Sequence, residues 1–90
     1  MLNTLENLIE LARERKKKPI EGSYTNKLFI NKPLSKAKLL EEINELIEAV
    51  DEDSNIIHES ADVFYHLIIY LEANEIRIED IMLELEKRKK

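Results

Sequence analysis

The chain has 90 residues, 37% of them charged, with one Gly, two Pro and no Cys. That length suits a single domain spanning 1–90, and the missing Cys excludes a disulfide framework or a thiolate zinc site. The net charge of −5 is unevenly spread: residues 1–38 carry nine basic and four acidic groups, and residues 39–86 one basic and fifteen acidic, which argues against a nucleic-acid partner.

So few Gly and Pro predict an all-α fold. Residues 2–16 set Leu2, Leu5, Leu8, Ile9 and Ala12 in one helical stripe. The run Arg15-Lys16-Lys17-Lys18 reads as a solvated helix end, although the segment Arg13 to Lys18 also suits a small polyphosphate ligand. Residues 17–33 break the pattern with Pro19, Gly22 and Pro33, leaving room for a short helical turn through Phe29 capped by Ser23 or Thr25. A long connection of this kind is often functional.

Residues 34–52 predict an amphipathic helix with Ser35 as its N-cap. Leu39, Leu40, Ile43, Leu46, Ile47 and Val50 share one face, Glu41, Glu45 and Glu48 the opposite one, and Glu42 the border. Asp53-Ser54-Asn55 reads as a turn with N-cap character. Residues 55–73 form a helix apolar almost all round, as in a central or interface helix. One narrow stripe of Glu59, Asp62 and His66 interrupts it. His66 reads as an interior, hydrogen-bonded residue, His58 as a surface residue pointing away from the stripe, and Tyr65 and Tyr70 as core or interface. Residues 77–88 predict a last helix with Ile78, Ile81, Met82 and Leu85 inward. The longest apolar stretch, Val63 to Leu71, is too short to span a bilayer, and no signal peptide is evident, so no membrane partner and a cytoplasmic location are expected.

The chemistry concentrates in Glu42-x-x-Glu45 and Glu59-x-x-Asp62. Spacing of i, i+3 puts each pair on one helix face. The fourteen positions from Glu45 to Glu59 allow one helix to end and an antiparallel one to begin. Glu42-x-x-Glu45 alone reads as a solvated surface. Glu59 and Asp62 lie on a helix expected to be buried, where unpaired charge is costly. Four converging carboxylates raise one another's pKa, and a hard divalent cation, Mg2+ or Mn2+, removes that conflict. Such a site suits phosphoanhydride hydrolysis. Glu41 is a further candidate ligand, an outer partner, or a solvent-facing residue. Lys27 and Lys38 read by themselves as surface lysines.

The segment Pro19-Ile20-Glu21-Gly22-Ser23-Tyr24-Thr25-Asn26-Lys27-Leu28-Phe29 resembles the loop of the phosphoribosyl-ATP pyrophosphatase family. Lys38-Leu39-Leu40-Glu41-Glu42-Ile43-Asn44-Glu45 and Glu59-Ser60-Ala61-Asp62-Val63-Phe64-Tyr65-His66-Leu67 resemble its two acidic helices, and Glu79 to Arg88 its last helix. The acidic motif is shared with the wider all-helical MazG-like pyrophosphatases, whereas the Gly-Ser-Tyr-Thr loop is not. Leu40 stands where the family usually has Gly.

The resemblance implies Mg2+-dependent hydrolysis of phosphoribosyl-ATP to phosphoribosyl-AMP and pyrophosphate, the second step of histidine biosynthesis. It implies Glu42, Glu45, Glu59 and Asp62 as metal ligands and catalytic residues. Glu41 becomes a further ligand or an orienter of water. Lys27, Lys38 and Arg15 become phosphate contacts, and Ser23, Tyr24 and Thr25 shape the ribose or phosphate side of the pocket. It also implies helical hairpins forming a four-helix-bundle-like core completed by a homodimer or higher homo-oligomer, in a stand-alone form of the enzyme. Two alternatives stay open on the residues: a house-cleaning nucleoside triphosphate pyrophosphatase, and a non-enzymatic helical metal-binding or oligomerisation module.

Overall fold

A computed structural model describes residues 1–89. Among the described residues there are five helices and no strand: α1 (Asn3–Lys17), α2 (Tyr24–Ile30), α3 (Lys32–Glu52), α4 (Ile56–Ala73) and α5 (Ile78–Lys87). The all-α expectation holds. α4 is central, packing against α1, α2 and α3. The core gathers Ala12, Leu28, Ile68, Ile69 and Ile78, with Leu5, Leu8, Ile9, Phe29 and Leu34 packed around them. No helix among the described residues is long and apolar enough to cross a membrane.

The connection between α1 and α2 is short because the predicted helical turn is a seven-residue helix. Gly22 adopts φ +82, a left-handed conformation that other residues reach only with strain. Ser23 then caps α2, its Oγ accepting from the Asn26 N–H at 3.0 Å. A single residue, Asn31, separates α2 from α3. It, and not Ser35, caps α3: its Oδ1 accepts from the Leu34 N–H at 3.0 Å. Pro33 fits the first turn, where its missing N–H has no intrahelical partner to lose. Ser35 lies inside the helix and is buried.

The α3–α4 turn also departs from expectation. Asp53 and Asn55 both adopt positive φ, 52 and 57, and Asn55 makes no side-chain cap on α4. Asn and Asp tolerate this region better than most residues, so they serve the reversal of the chain and not the helix start.

The largest correction concerns which side of α3 meets α4. The buried and half-buried positions of α3 run Leu34, Ser35, Lys38, Leu39, Glu42, Glu45, Leu46 and Ala49. Leu40, Ile47 and Val50 are each 55% exposed, and Ile43 is 37% exposed. The most apolar face of the helix therefore looks outward, and the packed seam is a small-residue edge that carries the carboxylates. α4 likewise exposes Ile57, Phe64 and Leu67, and α5 exposes Met82 and Leu85, which were expected inward. The Cα radius of gyration, 14.2 Å, exceeds the value of about 12 Å expected for a compact 90-residue domain.

Candidate metal and nucleotide site

The rotation of α3 brings Glu42 and Glu45 into the seam against Glu59 of α4. One ligand atom from each of these three lies within 4.8 Å of the others. Glu59 also belongs to a second such group with Asp62 and His58. The four carboxylates named from sequence thus form one continuous acidic patch, with Glu59 at its centre. Glu45 was expected to face solvent; it is half-buried because the seam, not the apolar stripe, sets the helix orientation.

The electrostatics are those of uncompensated like charge. Burial first, and then the Glu45 and Asp62 carboxylates, push the Glu42 carboxyl above its ordinary value. Glu59 moves the same way, by desolvation and by its close approach to Glu45. Two oxygens, Glu42 Oε2 and Glu59 Oε2, are buried without any hydrogen-bond partner. A carboxylate oxygen cut off from water and left without a hydrogen-bond partner is unfavourable. These orphaned oxygens fit a cation as missing partner, and an all-oxygen donor set fits a hard divalent one.

Around the patch, His58 is exposed as expected but does not point away. Its Nε2 lies 3.4 Å from Asp62 Oδ2, because i, i+4 spacing returns it to the same helix face. Glu41 is exposed and pairs with Lys38, Nζ to Oε2 at 3.0 Å, which raises the lysine pKa. Ser23 is occupied as the α2 cap. Tyr24 and Thr25 reach α4: the Tyr24 hydroxyl lies 2.8 Å from His66 Nε2, and the Thr25 hydroxyl bonds to the Tyr65 hydroxyl. His66 is interior and hydrogen-bonded, as expected. Burial raises the Tyr24 phenol pKa, opposed by the nearby Lys38 charge.

Arg15 and Lys27 are not drawn in. Neither makes an ion pair or side-chain hydrogen bond among the described residues. The reading of Arg13 to Lys18 as a free polyphosphate segment also fails in part. Arg13 Nε donates to Glu72 Oε2 at 3.2 Å, and its Nη atoms clasp Glu79 at 2.8 and 2.7 Å. Lys16 Nζ donates to the Glu72 carbonyl at 2.8 Å and to Glu75 Oε2 at 3.2 Å. Sequence reasoning missed this network. The available signal was Glu72, a charge near the end of a nearly all-apolar helix that must find a cation if buried.

Fold and site together define a class: all-helical proteins with an acidic, uncompensated seam between two antiparallel helices. The comparisons narrow it. The family described as Phosphoribosyl-ATP pyrophosphohydrolase matches residues 5–89. A phosphoribosyl-ATP pyrophosphatase of Clostridium acetobutylicum is 45% identical over 93 residues, covering 98% of this chain and 80% of the relative. One from Haloarcula marismortui is 38% identical, covering 97% of this chain and 94% of the relative. The "Histidine biosynthesis bifunctional protein HisIE" of Pyrococcus furiosus is 40% identical over 99% of this chain but only 43% of that protein. The chain belongs to the phosphoribosyl-ATP pyrophosphohydrolase family.

Proposed function

We propose that this protein hydrolyses phosphoribosyl-ATP to phosphoribosyl-AMP and pyrophosphate in histidine biosynthesis, in the cytoplasm. The observation that carries the reading is the pair of buried, unpartnered oxygens on Glu42 and Glu59, in a chain of this family. Glu42, Glu45, Glu59 and Asp62 would hold Mg2+, with Mn2+ as the other hard cation of suitable chemistry. When bound, such a cation draws charge from the substrate's phosphate oxygens as a Lewis acid.

The chain's own residues do the rest. Glu41, exposed next to the ligand Glu42, orients the attacking water and takes its proton. Oxygen from that water bonds to the α-phosphorus while the bond to the bridging oxygen breaks, and pyrophosphate leaves. Lys38 sits beside Glu41 and turns to a phosphate when substrate enters. Lys27, one helical turn beyond Tyr24, and Arg15 stand outside the site as folded and would supply positive charge only by turning toward a bound phosphate. Ser23 holds the start of α2, and with it Tyr24 and Thr25, against α4.

The exposed faces of Leu40, Ile43, Ile47 and Val50 on α3 and of Ile57 and Phe64 on α4 support a homodimer in which two α3–α4 hairpins complete one four-helix core. The test of function is pyrophosphate release from phosphoribosyl-ATP, with and without Mg2+, beside common nucleoside triphosphates. Rapid Mg2+-dependent release from phosphoribosyl-ATP alone is expected. Equal turnover of the triphosphates would move the protein to a general house-cleaning role.

A further inference from the structure

The chain exposes more surface than a monomer of its size. A folded monomer of 10.6 kDa exposes about 5,500 Å², whereas this chain exposes 6909 Å². The excess, about 1,400 Å² per chain, doubles in a symmetric pair to about 2,800 Å², the size of an obligate homodimer interface. Much of the exposed apolar surface lies on one side of the α3–α4 hairpin. Leu40, Ile43, Ile47 and Val50 sit about a third of a turn round α3 from the seam residue Glu42. Phe64, Leu67 and Leu71 sit about a third of a turn round α4 from Glu59, in the same sense. Equal rotations on antiparallel helices point to the same side.

The two halves of that side differ in shape. The four α3 residues make a convex apolar ridge. Beside α4 the surface is concave, because α5 is anchored only through its first turn, by the buried Ile78 and the Arg13–Glu79 pair. Met82 and Leu85 of α5 stay 52% and 53% exposed. A cleft of about 440 Å³ opens between α4 and α5, lined by Leu5, Phe64, Leu67, Leu71, Ile81 and Met82, with Glu6 as its one charged side chain. Such a lining suits an apolar helix face and offers a polar ligand almost nothing.

We infer that the α3 ridge of a second copy of this chain seats in the α4–α5 cleft, with α5 as its outer wall, and that the exchange is reciprocal. The inference rests on the homodimer reading above and deepens it, since it names the helix that each cleft receives. A two-fold axis along the bundle sets ridge into cleft twice. The other two-fold pairing lays α3 on α3 and turns the two clefts toward each other, so that neither is filled. Charge agrees with the first. Exposed Lys32 and Lys36 flank the start of α3 and Asp51 and Glu52 its end, whereas α5 carries Glu79 and Asp80 in its first turn and Lys87 in its last. Running parallel, the incoming α3 and α5 place unlike charges together at both ends; running antiparallel, they place Lys36 toward Lys87 and Asp51 toward Asp80. Parallel is also the direction that an up-down bundle requires. The short 74–77 connection makes α5 run against α4, and the incoming α3 does the same.

The chain has no Cys, so engineered cysteine pairs report contacts without background. With the two helices centred on each other, Ile43 lies opposite Met82 of the other copy. The doubly substituted Ile43→Cys/Met82→Cys chain should form a covalent dimer on oxidation or with a short bismaleimide, and each substitution alone should not. No covalent dimer from the double variant overturns the inference. So does one from Met82→Cys alone or from Ile43→Cys/Ile47→Cys, which would show like helices paired. A second measurement tests α5 itself. Met82→Glu changes a side chain that the single chain leaves exposed, so folding is retained, and it should raise the dimer dissociation constant in sedimentation by at least about 30-fold. An unchanged constant removes α5 from the interface. A wild type that sediments as a monomer sinks the homodimer reading and this inference with it. A wild-type dimer with the wrong cross-links sinks the inference alone.

Discussion

Two ionic clusters sit on α4, one toward each end, and they are built on opposite principles. Toward its C-terminus, the buried Glu72 carboxylate is matched by Arg13 and Lys16 of α1, and the same arginine clasps Glu79 of α5. Toward its N-terminus, Glu59 and Asp62 face Glu42 and Glu45, and the basic groups nearby are the exposed His58 and the half-buried Lys38. The first cluster supplies its own counter-charge and ties three helices together. The second leaves two oxygens bare at a helix seam. A buried charge that is neutralised internally reads as architecture, and one left unneutralised reads as a place for something the chain does not itself supply.

The contrast is sharpest in activity. Glu59→Gln should lower kcat/KM for phosphoribosyl-ATP by at least about 100-fold, since even outer partners of metal ligands are worth 10- to 100-fold. The variant should fold, and its metal-free form should melt above the wild type, because the substitution removes like-charge repulsion at Glu45. The matching change in the other cluster acts on stability. Arg13→Met should cost about 3 kcal/mol by urea denaturation, since it strips the buried Glu72 of its closest cation.

The two clusters also predict opposite pH dependences. The Glu42 and Glu59 carboxyls are raised above their ordinary value of 4.5 in the folded chain. Their contribution is therefore present below that value and is lost as pH rises through the raised ones. Glu79 is lowered to about 2 by Arg13, so its contribution is present above 4.5 and is lost as pH falls toward about 2. The metal-free protein should be most stable near about pH 5. Glu59→Gln should flatten the fall toward neutral pH, and Arg13→Met the fall toward acid. If both variants shift the two limbs alike in thermal melts, the separation of the clusters is wrong.

The smallest effect tests the segment that carries Tyr24. Ser23→Ala should cost about 1 kcal/mol, the usual worth of an N-cap. It should also raise KM, because the start of α2 is held against α4 through the adjacent Tyr24 and Thr25. A loss of stability with KM unmoved would detach α2 from the site.

The helices were legible because periodicity survives in all the long ones, and the acidic pairs because i, i+3 carboxylates on an apolar helix are costly without a partner. The orientation of α3 was not legible. A helical wheel assigns the most apolar stripe, Leu40, Ile43, Ile47 and Val50, to the core, whereas the chain packs that helix through Ser35, Leu39, Leu46 and Ala49. Small residues permit close approach without announcing themselves in a hydrophobic pattern. That misreading sent Glu45 to solvent, although the two acidic pairs taken together had already made it a candidate ligand. The Arg13–Glu72 and Tyr24–His66 pairs were hidden because their partners lie 59 and 42 positions apart. The caps failed at Ser35 and Asn55 for a local reason: Asn31 and a left-handed turn had already set the helix starts.

The central claim is that the α3–α4 seam, and not the Arg13 network, is a divalent-cation site. It is tested most directly by calorimetric titration of Mg2+ into the metal-free wild type, Glu59→Gln and Arg13→Met. Saturable binding in the wild type, lost in Glu59→Gln and retained in Arg13→Met, is the predicted result. Binding that survives Glu59→Gln, or a wild type that takes up no Mg2+, would contradict it.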